Sequence, residues 1–143
     1  MLIVGKNAKS MHIRWIRLVV GALAAEIAGI LVLVSLVAVF GPHEGKAAEA
    51  YAEKLGRWVG PLTGIAFGFL GAFLIARPLE KYQLLHGALF GCFQALVDAA
   101  LLVATQTPFE WLFVVSNLGR IGAAVGGGLW AGRSVISKRT TWK

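Results

Sequence analysis

The chain has 143 residues, of which 57% are hydrophobic and only 15% charged, against roughly a quarter charged in an ordinary soluble domain. With 18 glycines, one cysteine and a mean hydropathy of +0.72, it is neither a disordered chain nor a disulfide scaffold, and almost any soluble enzyme is excluded. A formal net charge of +7 in a soluble protein would point to nucleic acid; here the basic residues flank apolar runs, so a lipid bilayer explains them better and no nucleic-acid partner is expected.

A bilayer core of about 30 Å takes about 20 residues of apolar helix. Four runs have that character: residues 18–40, interrupted only by Glu26; residues 58–76, with no charge; residues 84–104, which contain Asp98; and residues 111–131, which contain Arg120. The expected fold class is an all-α integral membrane protein, a four-transmembrane-helix bundle. It forms one domain over residues 18–131, between a basic segment 1–17 and a basic tail 132–143. The first run is too long for the apolar region of a cleaved signal peptide and holds Glu26, so it is expected to remain as a span.

Lys and Arg set the orientation. One side of the expected bundle carries Lys6, Lys9, Arg14 and Arg17, then Arg77 and Lys81, then Arg133, Lys138, Arg139 and Lys143. The other carries Lys46, Lys54 and Arg57. This asymmetry implies a cell (inner) membrane protein with both termini cytoplasmic. Trp15 and Trp130 then fall at the inner boundary and Trp58 and Trp111 at the outer one, where amphipathic rings prefer to sit.

The link between the first two runs, residues 41–57, opens with the helix stop Gly41-Pro42. Ala47, Ala48, Tyr51, Leu55 and Trp58 follow at helical spacing, with Lys46, Glu49, Glu53 and Arg57 on another face. That pattern predicts a short amphipathic helix in the first external loop, lying on the outer surface.

Two kinds of face recur inside the runs. Gly60, Gly64, Gly68, Ala72 and Ala76 form a small-residue ridge at spacing four, and Gly119, Ala123, Gly127 and Ala131 form another. Such ridges let helix backbones approach closely, either within one bundle or between two copies of the chain. The polar residues form the second kind. Gln94 and Asp98 share a stripe of the third run, Asn117 and Arg120 share one of the fourth with Ser116 alongside, and Glu26 lies in the first. At 1.5 Å per residue, Glu26, Asp98 and Arg120 lie roughly 13, 17 and 16 Å from the cytoplasmic ends of their spans. A charge at mid-membrane costs about 2.5–3.5 kcal/mol, so three at one depth are expected to face inward as a cluster. Two acids against one arginine leave a surplus acid that is expected to carry a proton. By height, Asp98 is the expected partner of Arg120 and Glu26 the surplus acid.

No zinc-protease, nucleophile-elbow or phosphate-loop motif occurs, and a single cysteine cannot run dithiol chemistry. Cys92 reads as a packing residue, and His12, His43 and His86 as interfacial side chains. No enzyme activity, metal or cofactor is expected.

The segment Gly21-Ala22-Leu23-Ala24-Ala25-Glu26-Ile27-Ala28-Gly29 resembles the first helix of the small multidrug resistance transporters. Those are four-helix, proton-coupled dimers, and the resemblance implies that Glu26 stands at their essential acid. It covers about a dozen residues. The long first external link departs from that pattern, and Asp98 and Arg120 have no place in it.

Two functions follow. The first is a small multi-pass membrane protein without enzymatic chemistry, a structural or accessory subunit whose partners are the bilayer, a second copy or a larger membrane complex. The second is a small proton- or cation-coupled transporter or channel, with Glu26, Asp98, Arg120, Gln94 and Asn117 as its site. A cavity reaching the charges would favour the second reading, and a packed cluster the first.

Overall fold

The structure, a computed structural model, describes residues 13–140, and side chains as far as residue 134. Lys6, Lys9, His12 and Lys143 lie outside the described residues, as do the side chains of Lys138 and Arg139. The chain folds into four helices, α1 (Trp15–Phe40), α2 (Gly45–Ala76), α3 (Gln83–Ala104) and α4 (Trp111–Thr140). All four are long and apolar enough to cross a membrane. Even the shortest, α3 with 22 residues, extends about 33 Å at 1.5 Å per residue, against a hydrocarbon core of about 30 Å.

The helices form a bundle in which α2 and α3 each pack against both α1 and α4, while α1 and α4 occupy opposite corners and do not pack directly. Each helix buries one narrow stripe. On α1 it is Leu18, Ala22, Ala25 and Glu26, and on α2 it is Gly64, Gly68, Ala72 and Ala76. The remaining surface stays apolar: Ile16, Val20, Leu23, Ile27, Leu31 and Val34 of α1 are all exposed. The buried hydrophobic cluster is small, formed by Leu18, Ala22, Ala25, Ala72, Phe90 and Ala124, so it organises only part of the bundle. Close approach of small residues and polar contacts across the interior do the rest, the devices that hold helices together where hydrophobic side chains are not buried.

One sequence expectation is corrected. No separate amphipathic helix lies in the first link, because α2 runs unbroken from Gly45 to Ala76. The link shrinks to residues 41–44. The stretch from Lys46 to Leu55 is rich in Ala, Glu and Lys, good helix formers, and nothing before Pro61 interrupts it. Pro61 lies inside the helix, where it lacks an N–H for the carbonyl four residues back. Two residues on, the Thr63 hydroxyl donates to the Val59 carbonyl at 2.7 Å and sits 3.1 Å from that of Gly60.

The end of the bundle that holds the start of α1 and the α2–α3 link is sealed by backbone. A Cβ on Gly87 would stand 2.5 Å from the Ala124 carbonyl and 3.1 Å from the Gly128 Cα. On Gly91 it would stand 2.8 Å from the Ile121 Cα, and on Gly127 it would overlap the Phe69 carbonyl. Phe90, fully buried, fills what space remains, with its ring against Gly21 of α1 and Gly71 of α2. His86 is also buried here rather than interfacial, its Nδ1 2.9 Å from the Tyr82 carbonyl. Cys92 is not a packing residue. It is exposed, on an apolar groove between α3 and α4.

Candidate functional site

The polar residues of three different helices converge where this tight packing ends. Arg120 of α4 reaches across the bundle diagonal to α1, where its Nη1 donates to Glu26 Oε1 at 2.6 Å. The same nitrogen lies 3.1 Å from Asp98 Oδ1 on α3. Arg120 is 4% exposed and Glu26 8%. The expectation that Asp98 is the partner of Arg120 and Glu26 the surplus acid is thus revised. Both acids contact one guanidinium nitrogen, and the shorter contact goes to Glu26. Height along separate helices ranks candidate partners but carries no information about azimuth, which decides the distance.

Asn117 and Gln94 buttress the cluster. Asn117 Nδ2 donates to Asp98 Oδ2 at 2.9 Å and to the Phe113 carbonyl at 3.0 Å. Gln94 Nε2 donates to the Gly64 carbonyl at 3.1 Å. The glycines of α2 owe their place to these side chains. A Cβ on Gly64 would overlap the Arg120 guanidinium, and one on Gly68 would stand 2.9 Å from Gln94 Oε1 and 3.2 Å from the Arg120 carbonyl. A Cβ on Gly119 of α4 would stand 3.0 Å from the Ile65 side chain. A Cβ on Gly60, in register with the same ridge, would meet no other helix within 4 Å, and Gly60 borders a cavity instead. The network is incomplete: Gln94 Oε1, Asn117 Oδ1 and Arg120 Nε are buried without a hydrogen-bond partner.

From the cluster toward the α3–α4 link the helices part. A cavity of about 650 Å³ opens there, with Asp98, Ser116 and Arg120 in its wall. A chamber of about 140 Å³ lies against Glu26, Thr63, Asp98 and Arg120. The larger volume lies within the range of about 300–1,000 Å³ of small-molecule sites. Near its mouth Arg57 lies between two acids, 3.4 Å from Glu53 and 3.2 Å from Glu110. Sequence reasoning placed Glu53 and Arg57 on a surface helix and gave Glu110 no role. The signal was present only as charge spacing on one face, and the partner comes from a different link of the chain.

Compared with known protein families, curated proteins and solved structures, the chain finds no match. The local resemblance of residues 21–29 stays within α1, and here its acid, Glu26, is engaged by an arginine from α4.

Proposed function

We propose that the chain is a multi-pass protein of the cell (inner) membrane, with both termini cytoplasmic, that binds a small cation in the cavity between α2, α3 and α4. It acts as a small proton- or cation-coupled transporter or channel. The observation that carries this reading is that the cavity reaches the charge cluster. Its walls hold three carboxylates, Glu53, Glu110 and Asp98, against two arginines, Arg57 and Arg120, and a fourth carboxylate, Glu26, borders the adjoining chamber. That excess of negative charge stands out in a chain whose net charge is +7, and a low-dielectric cleft lined by one sign of charge concentrates the opposite ion. The membrane part of the reading is supported by four apolar helices and by exposed Trp15, Trp58, Trp111 and Trp130, rings that favour the two interfaces.

Accessibility tests the cavity. In a Cys92→Ala background, Ser116→Cys should react with water-soluble methanethiosulfonates, and faster with a cationic than an anionic one, because the cavity is acidic. Leu118→Cys, two residues on and so on the opposite face of α4, 65% exposed on the apolar surface, should stay inert in a bilayer, where a thiol does not ionise. An inert Ser116→Cys in a folded protein would leave the structural or accessory subunit as the better reading.

Topology is tested separately. Tags at Met1 and Lys143 should be protected from an impermeant label on intact cells, and a cysteine within residues 44–54 should be labelled. Labelling of either terminus overturns the orientation.

A further inference from the structure

Resting on that cavity reading, we propose that the two acids of the cluster divide the work. Asp98, with the Ser116 hydroxyl lining the same cavity, is the carboxylate that meets the cation, whereas Glu26 is the fixed counter-ion of Arg120. The division reverses the one expected from height in the sequence.

Glu26 is committed. It takes the shorter contact with Arg120, its side chain is 10% exposed, and it borders only the inner chamber. Since α1 and α4 do not otherwise pack together, this bond ties opposite corners of the bundle.

Asp98 is available. Its side chain is twice as exposed, at 20%, and it borders both the chamber and the open cavity. One carboxylate oxygen is held by Asn117, which is itself anchored on the Phe113 carbonyl. The other makes only the longer contact to Arg120. A cation that takes this oxygen leaves Arg120 still neutralised by Glu26, so no buried charge is stranded.

Ser116 is an independent sign of a ligand. Hydroxyls on helices commonly bond back to a carbonyl of their own helix, as those of Thr63, Thr105 and Ser134 do here. Ser116 is 5% exposed and borders the cavity, yet its hydroxyl makes no hydrogen bond within the described residues. A carboxylate and a free hydroxyl in the lining of one cavity offer hard oxygen ligands to a monovalent cation. The cavity is wide enough for a partly hydrated metal ion or a primary ammonium.

The test is thermal unfolding of the purified full-length protein in detergent, titrated with sodium, potassium or methylammonium chloride at fixed ionic strength. A bound cation raises the wild-type midpoint by mass action, and the responding salt distinguishes an inorganic ion from an ammonium. Asp98→Asn should keep the salt-free midpoint within about 2 °C and lose the rise, a roughly tenfold or greater loss of affinity. Ser116→Ala should keep the midpoint and weaken the rise. Glu26→Gln should lower the salt-free midpoint by roughly 5–10 °C and still show the rise. If no cation raises the wild-type midpoint, the cation site itself is overturned. If the rise survives Asp98→Asn, or if Asp98→Asn lowers the midpoint and Glu26→Gln does not, the cation site stands but the assignment of the acids is overturned.

Discussion

Arg120→Gln should destabilise the bundle more than any other single change in the polar cluster. The guanidinium is the only cation in contact with Glu26 and Asp98 among the described residues. Its loss leaves two carboxylates side by side in an apolar interior. Removing one partner of a buried ion pair costs about 3–5 kcal/mol, because the remaining charge stays desolvated and unpaired. Here two such charges remain, and the link from α4 to α1 goes with the guanidinium. The thermal midpoint in detergent should fall by roughly 10 °C or more. Arg120→Gln combined with Glu26→Gln should recover part of that loss, since only Asp98, the more exposed acid and one still bonded to Asn117, keeps its charge. The same measurement probes Gly64. Gly64→Ala should be destabilising in the wild type, where the added methyl meets the guanidinium held by two acids. In the Arg120→Gln background the shorter side chain leaves room, so the two changes should be markedly non-additive. Additive losses would mean that the guanidinium moves aside freely and that the glycine serves another contact.

The second large effect separates glycines that look alike in sequence. Gly127→Ala should cost about 1–3 kcal/mol, because its methyl would overlap the Phe69 carbonyl with the Phe73 amide nitrogen 3.1 Å away. Both are backbone atoms, so only a shift of α2 against α4 makes room. A methyl at Gly122 or Gly60 would meet no other helix within 4 Å, but Gly60 precedes Pro61, whose ring crowds the Cβ of a helical residue before it. Relief of glycine's conformational cost in a helix should stabilise Gly122→Ala by up to about 1 kcal/mol, whereas in Gly60→Ala the crowding by Pro61 should offset that gain. The sign of the change, read from thermal midpoints of the three variants, is the measurement. If Gly122→Ala were as damaging as Gly127→Ala, α4 would have to pack on a face that the structure leaves open.

These glycines also mark how far sequence reasoning reached. Spacing four identified a ridge from Gly60 to Ala76, because residues four apart lie on one helix face. It did not tell Gly60, which borders open space, from Gly64, which makes room for an arginine from another helix. Glu53 and Arg57 show the same limit. Their spacing put them on one face of a helix, but the third member of the group, Glu110, lies more than fifty residues away.

The number of helices and the apolar surface they present were legible from composition and run length alone, because hydrocarbon thickness and helical rise fix how long an apolar run must be. That Glu26, Asp98 and Arg120 lie at similar heights was legible for the same reason, since rise per residue is a local property. Where α2 begins was misread, because an amphipathic pattern shows that a helix forms but not whether it is continuous with the next. Which acid holds Arg120, which glycine abuts backbone, and that a cavity opens on one side of the cluster depend on the rotation of each helix about its axis and on the separation between helices. Those quantities are decided only when four faces pack at once. The bulk of Arg120 against Gly64 and of Phe90 against Gly71 helps to set them, and no single segment of the chain contains both members of either contact.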